Sequence, residues 1–117
     1  MDTAESIAAR VSSWLRQVRK DSVEATLPEL LEVYDEQVVF RDPMQELHGR
    51  DAFREMNLSL ATKARELSFD VRETATTGDA AFLRWTMRFV PRLGPELHVE
   101  GVSFLRVPAG RVVEHVD

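Results

Sequence analysis

The chain contains no cysteine, which excludes a disulfide framework and a metal site built from thiolates. It also has no apolar run approaching the roughly 20 residues that a membrane-spanning helix requires. Charged side chains, among them Asp2, Glu5 and Arg10, interrupt the start of the chain, which is unlike a secretory signal. From the sequence we predict a cytoplasmic protein with no membrane partner, whose fold depends on packing alone.

Basic residues are fewer than acidic ones, with 15 Lys and Arg against 20 Asp and Glu and a formal net charge of −5. Because a nucleic-acid interface normally needs a basic surface, this balance argues against nucleic acid as a partner. Glycine-rich phosphate-binding motifs and the G-x-S-x-G motif are absent. The three histidines, His48, His98 and His115, lack the spacing of metal ligands. We therefore predict neither a metal nor another cofactor.

The first part of the chain has the apolar period of helices. A 3.6-residue period predicts a helix over residues 3–20, with Asp2 and Glu5 as a capping box at its start. Thr26 has the pattern of a helix start, and the second helix that it predicts buries Tyr34 near its end. With a length of 117 residues, the chain is expected to form one domain around a single core.

The second part of the chain has the period of strands. A third helix is predicted after Gly49, and from Leu67 onward apolar and polar residues alternate. The clearest alternation covers residues 81–89, and further strands are predicted over residues 97–107 and 111–117. Helices followed by strands in hairpin succession indicate an α+β domain with the helices on one face of the sheet. A curved sheet wrapped around helices forms a cone whose apolar mouth can hold a ligand.

The stretch VVFRDP, residues 38–43, raises a question about Asp42. In a strand, Val38, Phe40 and Asp42 point to the same face, and that face is apolar. A carboxylate there is costly unless it is paired, protonated or used in a reaction. Asp42 is therefore either an acid/base residue in a pocket or the cap of a turn before Pro43, and the local sequence leaves both open.

The segment LLEVYDEQVVFRDPMQELHGRDAFREM, residues 30–56, resembles the segment that carries the catalytic aspartate in ketosteroid isomerases. More broadly, the chain resembles the nuclear transport factor 2-like superfamily, which includes the SnoaL-type polyketide cyclases, and the order of elements matches over nearly the whole chain. The resemblance implies a cystatin-like cone, in which a curved mixed or antiparallel sheet wraps around three N-terminal helices. It also implies that Asp42 is the general base and that Met56 lines the pocket.

The two donors of the isomerases are not reproduced in this sequence. Trp14 falls about where the isomerases have the tyrosine that donates to the developing enolate, and an indole N–H is a weaker substitute. The family's protonated aspartic acid should fall near Val102, and valine offers no donor. Loss of both donors disfavours authentic steroid isomerisation, because oxyanion stabilisation is usually the largest catalytic contribution.

The closing stretch GRVVEHVD, residues 110–117, resembles the ending of SnoaL-like cyclases. The resemblance implies that Asp117 is an acid/base residue and that His115, on the same strand face, orients Asp117 or acts as an acid. Members of the family normally continue beyond this point. Whether the closing strand of the domain over residues 1–117 continues past Asp117 is therefore left open.

A set of aromatic and apolar side chains is predicted to line the ligand pocket, and a packed core is the alternative for the same residues. The set consists of Trp14, Tyr34, Phe40, Met56 and Trp85. The ligand that such a pocket would take is small and largely apolar.

The outer face of the sheet is predicted to bind a second subunit. Arg84 and Arg88 form the polar side of the best strand, and related proteins often pack this face against another copy. Val90, Val102 and Phe104 are expected to be exposed or half-exposed there and to lie in a homodimer interface.

Two functions follow from the sequence. The first is binding of a small apolar molecule that bears a carbonyl group, with proton transfer next to that carbonyl, as in isomerases and cyclases. Asp42 is then the base, and Asp117 or His115 is the second acid/base group. The alternative is a ligand-binding or protein-interaction domain of the same fold that has no catalytic activity.

Overall fold

The computed structural model describes residues 3–117, which form three α-helices and six β-strands. The helices are α1 (Ala4–Gln17), α2 (Val23–Leu31) and α3 (Arg50–Lys63), with a short 3₁₀ turn at Lys20–Ser22. The strands are β1 (Tyr34–Asp42), β2 (Gln45–His48), β3 (Ala64–Thr77), β4 (Ala80–Pro91), β5 (Leu97–Arg106) and β6 (Val112–Val116).

The strands form one mixed, curved and unclosed sheet in the order β2-β1-β6-β5-β4-β3. All neighbouring strands are antiparallel except β1 and β6, which run parallel with Phe40 opposite His115. β6 therefore joins the hairpin series β3–β6 to the first strand of the chain. The predicted α+β architecture, a curved sheet around three helices, is confirmed.

The first helix differs from its prediction at both ends. Thr3 is the N-cap, and its side chain and that of Ser6 exchange hydrogen bonds with each other's backbone N–H. Asp2, which the sequence suggested for the capping box, lies outside the described residues. The predicted end at residue 20 is wrong, because Val18 is extended and its N–H donates to the Trp14 carbonyl.

The predicted start of the second helix is also wrong. α2 begins at Val23 after the 3₁₀ turn, which leaves Thr26 inside the helix, where its hydroxyl donates to the Ser22 carbonyl at 2.6 Å. Helix α2 ends at Leu31, so Tyr34 belongs to β1 rather than to the helix, although it is buried as predicted.

Strand β2 was not predicted from the sequence. It is a four-residue edge strand, and none of its residues is buried. Only Leu47 is partly covered, so the stretch lacks the apolar alternation that marked the longer strands. β2 nevertheless matters for the site, because its antiparallel pairing with β1 brings Gln45 opposite Asp42.

The strand predictions for the second half are confirmed in their order, with one error on the outer face. Val90 was expected to be exposed but is 3% exposed, since the β3 strand opposite it is irregular and shifts register there. Val102 is 49% exposed and Phe104 is half-buried, as expected.

The main core joins the helices to the concave side of the sheet. Ile7 of α1, Leu27 of α2, and Leu83 and Leu105 of the central strands are almost completely buried in one cluster. Trp14, Met56 and Trp85 pack against this cluster but are only partly buried. The core therefore fills one end of the cone and leaves open the end at which these three side chains lie.

Candidate functional site

A cavity of about 270 Å³ opens between the helices and the concave face of the sheet. This volume is at the lower end of the range for small-molecule pockets. Every residue that the sequence predicted for the site lies on its wall: Trp14, Tyr34, Phe40, Asp42, Met56, Trp85, His115 and Asp117. The pocket-facing side of the sheet thus brings together residues that are far apart in the sequence.

A chain of hydrogen bonds runs through the wall of the cavity. The Tyr34 hydroxyl lies 2.8 Å from Nδ1 of His115, and Nε2 of His115 lies 2.7 Å from Oδ1 of Asp117. The Ser103 hydroxyl donates to the same Asp117 oxygen at 2.5 Å and accepts the indole N–H of Trp85 at 2.9 Å. The network therefore links strands β1, β4, β5 and β6.

The partners of His115 define its tautomer. If Tyr34 donates its hydroxyl proton to Nδ1, then Nε2 carries the proton and donates to Asp117. In this arrangement the Tyr34 hydroxyl, both ring nitrogens of His115 and Oδ1 of Asp117 all have a partner. If Nδ1 carried the proton instead, it would donate to the phenol oxygen, and the phenol proton would have no acceptor among the described residues. The neutral imidazole with its proton on Nε2 therefore satisfies the geometry best.

Tyr34 is the most strongly perturbed acid in the site. It is 1% exposed, and this burial raises the pKa of its phenol well above the ordinary value, with a further contribution from the negative charge of Asp117. The Tyr34 ring also stacks on Phe53, with ring centroids 4.5 Å apart. Tyr34 therefore stays protonated and acts as a fixed donor to His115, so its O–H is engaged with the protein rather than with a ligand.

Asp117 has one engaged and one available oxygen. Its Oδ1 accepts from both His115 and Ser103, whereas no donor within residues 3–117 contacts Oδ2. Its backbone N–H donates to the Arg41 carbonyl at 2.8 Å, which continues the pairing of β6 with β1. The side chain is 27% exposed, so Oδ2 remains accessible from the cavity.

Asp42 lies beside Asp117 at the end of the parallel pair of β1 and β6. The residues just before them, Arg41 and Val116, are opposite each other in the register of this pair. Strands in such a pair are about 4.8 Å apart, so the two residues are neighbours across the strand pair. Asp42 Oδ1 accepts the Met44 N–H at 2.8 Å, and Oδ2 accepts the Gln45 side-chain amide at 3.1 Å. Asp42 therefore caps the turn, as one alternative from the sequence had it, and its side chain also lines the cavity, while its acid/base role stays a prediction.

The two tryptophans hold fixed positions at the cavity. The indole N–H of Trp14 donates to the Thr26 hydroxyl at 3.0 Å, so this donor is already engaged within the protein. The Trp85 ring lies over Gly101, where an added Cβ would come within 2.5 Å of the ring. Glycine at position 101 is therefore what allows Trp85 to lie flat on β5 and reach Ser103.

Ser103, Gln45 and Asn57 also line the cavity, and reasoning from the sequence missed all three. The family's second donor was expected near Val102, but Val102 is exposed on the outer face and Ser103 is buried on the inner one. Strand parity with the buried Leu105 was the signal that could have identified Ser103. Asn57 donates one N–H to the Phe53 carbonyl at 2.9 Å, and its amide has a second N–H.

The described residues contain no group of three or more His, Asp or Glu side chains that could hold a metal ion. In the same part of the chain, no helix has both the length and the apolar character needed to cross a membrane.

The fold and the cavity define a protein of the nuclear transport factor 2-like class. Residues 12–115 match the family of SnoaL-like domains, and the chain belongs to this family. A search of curated proteins finds no significant match to the sequence.

Solved structures share the fold at low sequence identity. An NTF2-like protein of unknown function from Exiguobacterium sp. 255-15 is 19% identical, with a TM-score of 0.79 and coverage of 94% of each chain. TerC, co-crystallised with polyporic acid, is 13% identical, with a TM-score of 0.79 and coverage of 97% of this chain and 88% of TerC.

A third relative is a hypothetical protein with a ketosteroid isomerase-like fold from Catenulispora acidiphila DSM 44928, in complex with trimethylamine. It is 10% identical, with a TM-score of 0.76 and coverage of 95% of this chain and 82% of that one. At these identities the comparisons show the fold, and the chemistry has to be argued from the cavity itself.

Proposed function

We propose that the protein binds a small, largely apolar molecule bearing a carbonyl group and transfers a proton next to that carbonyl. Asp42 is the base in this proposal, and Asp117, backed by His115, is the second acid/base group. No cofactor is needed, because carboxylates and fixed donors suffice for this chemistry.

The observation that carries the proposal is the pair of carboxylates on neighbouring strands, both on the wall of one apolar cavity. Either carboxylate can take a proton from a bound molecule and, once protonated, return it at a nearby atom, so that both end the cycle ionised as they began. The free Oδ2 of Asp117 suits this role, since His115 and Ser103 hold the carboxylate through Oδ1 and fix its orientation.

Charge that develops on the carbonyl oxygen would need a donor. The indoles of Trp14 and Trp85 and the hydroxyls of Tyr34 and Ser103 are already engaged with the protein. The second N–H of Asn57 is the donor that we assign to the substrate oxygen. One amide gives less stabilisation than a pair of donors, which fits a reaction less demanding than steroid isomerisation.

Relatives of the same fold support the proposal that the protein binds a ligand, but they do not identify that ligand. One of them holds trimethylamine and another holds polyporic acid, so the fold accommodates small molecules of different kinds. The nature of the ligand must therefore come from the side chains that line the cavity of this chain.

Deuterium exchange tests the proposal without knowledge of the natural substrate. A panel of monocyclic β,γ-unsaturated ketones is incubated with the protein in D2O, and NMR measures label next to the carbonyl and migration of the double bond. We expect exchange above the buffer rate, and we expect Asp42→Asn and Asp117→Asn each to reduce it by about 100-fold or more.

Asp70→Asn is the matched control, because Asp70 is exposed in an ion pair with Arg72 and does not line the cavity. Its exchange rate should equal that of the wild type. Exchange that is absent in the wild type, or that survives both cavity substitutions, would contradict the proposal.

A binding domain without catalysis is the second candidate, and the engaged donors of the cavity favour it. Both oxygens of Asp42 already accept hydrogen bonds from Met44 and Gln45. To act as a base, Asp42 must first lose one of these two hydrogen bonds, so that the freed oxygen can accept a proton from the substrate. Saturable binding of a panel ketone without any exchange would select this candidate over the enzyme.

We also propose that the outer face of the sheet forms a homodimer. Phe82 and Val102 are 38% and 49% exposed, and the Phe82 ring packs against Phe104 in a tilted arrangement, with centroids 5.3 Å apart. Ion pairs such as Arg84–Glu73 surround this apolar centre, which is the usual arrangement of an interface. Sedimentation equilibrium should give the mass of a dimer for the wild type and of a monomer for Val102→Glu. A wild-type protein that is monomeric at all concentrations would contradict the proposal.

The cytoplasmic location stays a prediction from the sequence.

A further inference from the structure

The charged groups on the cavity wall are all of one sign. Asp42 and Asp117 contribute two carboxylates, and no Lys or Arg is among the residues that line the cavity, all of which lie in the described part of the chain. Arg41 is next to Asp42 in the sequence, but it does not line the cavity. Its guanidinium group forms ion pairs with Glu46 and Glu114 at 2.7 and 2.6 Å. The negative charge inside the cavity is therefore not compensated by a neighbouring cation.

The remaining titratable groups that face the carboxylates do not change this sign. Burial keeps the phenol of Tyr34 protonated, because it raises the pKa of that group. His115 accepts from Tyr34 and donates from Nε2 to Asp117, which is the pattern of a neutral imidazole. If both nitrogens of His115 carry a proton, its single positive charge offsets only one of the two carboxylates, and the net charge of the cavity wall is still negative.

The rest of the wall is suited to a cation as well. Six aromatic side chains line the cavity, namely Trp14, Tyr34, Phe40, Phe53, Phe69 and Trp85. The faces of aromatic rings carry partial negative charge and attract ammonium groups, most strongly where water is excluded. Two separate features, the carboxylate pair and the aromatic wall, therefore favour the same kind of ligand.

We propose that the cavity selects a compact ligand carrying a protonated amine next to an aromatic or aliphatic body, and that it rejects carboxylates and phosphates. The ammonium group binds at the free Oδ2 of Asp117, with the charge of Asp42 on the neighbouring strand adding to the attraction, while the body lies among the aromatic rings. The cavity volume of about 270 Å³ suits a ligand of one or two rings. This inference rests on the proposed function only in using the same cavity as its binding site.

The test uses three ligands of the same shape. Phenethylammonium, hydrocinnamide and hydrocinnamate share a phenylethyl group and end in a cation, a neutral amide and an anion. Titration calorimetry at neutral pH measures binding, and the fluorescence of Trp14 and Trp85 reports on the cavity directly. We expect the ammonium to bind about tenfold or more tightly than the amide, and the anion to bind more weakly than the amide.

Substitution of the carboxylates shows whether they cause the preference. The double variant Asp42→Asn with Asp117→Asn keeps the shape of both side chains and should bind the ammonium and the amide within about twofold of each other. Asp70→Asn removes the same charge from outside the cavity and should leave the preference unchanged. If the double variant does not fold, each single variant must still reduce the preference.

Three results would overturn the inference. They are equal or tighter binding of hydrocinnamate, a preference for the ammonium that survives removal of both carboxylates, and no saturable binding of any of the three ligands. The two proposals fail separately. Ammonium selectivity without deuterium exchange defeats only the proton transfer, and exchange without ammonium selectivity defeats only the choice of ligand.

Discussion

The two carboxylates of the cavity lie side by side but are held by different kinds of structure. At the hairpin end, Asp42 is fixed by the Met44 N–H and the Gln45 amide, two and three residues away. At the closing-strand end, Asp117 is fixed by Ser103, which is 14 residues away, and by His115, whose own partner Tyr34 is 81 residues from it. The hairpin end is thus a local turn, and the closing-strand end depends on the whole fold.

This difference separates the consequences of damage at the two ends. A change at the hairpin end can be absorbed by a turn of four residues that is exposed to solvent. A change at the closing-strand end leaves buried polar groups without partners, and such groups are costly.

Gly101→Ala should be the most damaging single substitution at the closing-strand end. The new Cβ would come within 2.5 Å of the Trp85 ring, so the ring must leave β5 and its N–H must leave Ser103. We expect the free energy of unfolding to fall by about 2–3 kcal/mol in urea titrations. Glu100→Ala, at the exposed position just before Gly101 on β5, is the control and should change it little. An unchanged stability of Gly101→Ala would show that the Trp85 ring moves freely.

Tyr34→Phe removes one hydroxyl from the buried part of the network. Nδ1 of His115 then loses its partner in a site where His115 is 7% exposed. We expect a loss of about 1–2 kcal/mol in the free energy of unfolding. Long-range nitrogen NMR of the imidazole should show that the preference for the proton on Nε2 weakens. If the tautomer population is the same in both proteins, Tyr34 does not determine it.

The same phenol predicts a dependence of stability on alkaline pH. The unfolded chain loses the Tyr34 proton near pH 10, whereas the folded chain retains it because burial raises the pKa. This contribution is complete below pH 10, and the free energy of unfolding then falls by up to about 1.4 kcal/mol per pH unit until the folded pKa is reached.

Because Tyr34 is the only tyrosine, the absorbance of tyrosinate should appear together with unfolding and not before it. The slope above pH 10 is measured as the difference between the wild type and Tyr34→Phe, which cancels the titration of Lys and Arg. Tyrosinate absorbance in the folded protein near pH 10 would contradict this prediction.

Asp42→Asn should have the smallest effect on stability. The asparagine oxygen can still accept the Met44 N–H, which is the bond that shapes the turn. We expect a change below about 0.5 kcal/mol in the free energy of unfolding, although the proposed exchange activity is lost. A large destabilisation would mean that Asp42 serves the fold, and the contrast between the two ends would then disappear.

The sequence predicted the parts of the site that depend on strand parity and on local turn chemistry. Phe40 and Asp42 share a face in the structure, as alternation required, and Asp42 caps the turn before Pro43, as its residue type suggested. The family resemblance supplied Met56 on α3 and the closing-strand residues His115 and Asp117, all of which line the cavity. The α+β order likewise followed from the change of period along the chain.

What escaped prediction depends on distant contacts or on weak local patterns. The bond between Trp14 and Thr26 requires the packing of α1 on α2, which no spacing encodes. Strand β2 is held by its pairing with β1 and has no buried residue of its own to reveal it. Strand parity places Ser103 on the inward face, but its bond to Asp117 depends on the docking of β6 beside β5.

The parallel pairing of β1 with β6 also has a consequence for the order of folding. The hairpins of β3, β4 and β5 can form from neighbouring segments, whereas Tyr34 and His115 must find each other across 81 residues. Closing such a long loop is slow because of its entropy. A partly folded chain would already place Trp85 beside Ser103, but it would gain both carboxylates of the cavity only when the last strand docks. Ligand binding would therefore report completed folding of the domain, and a bound ligand would slow its unfolding by holding that strand in place.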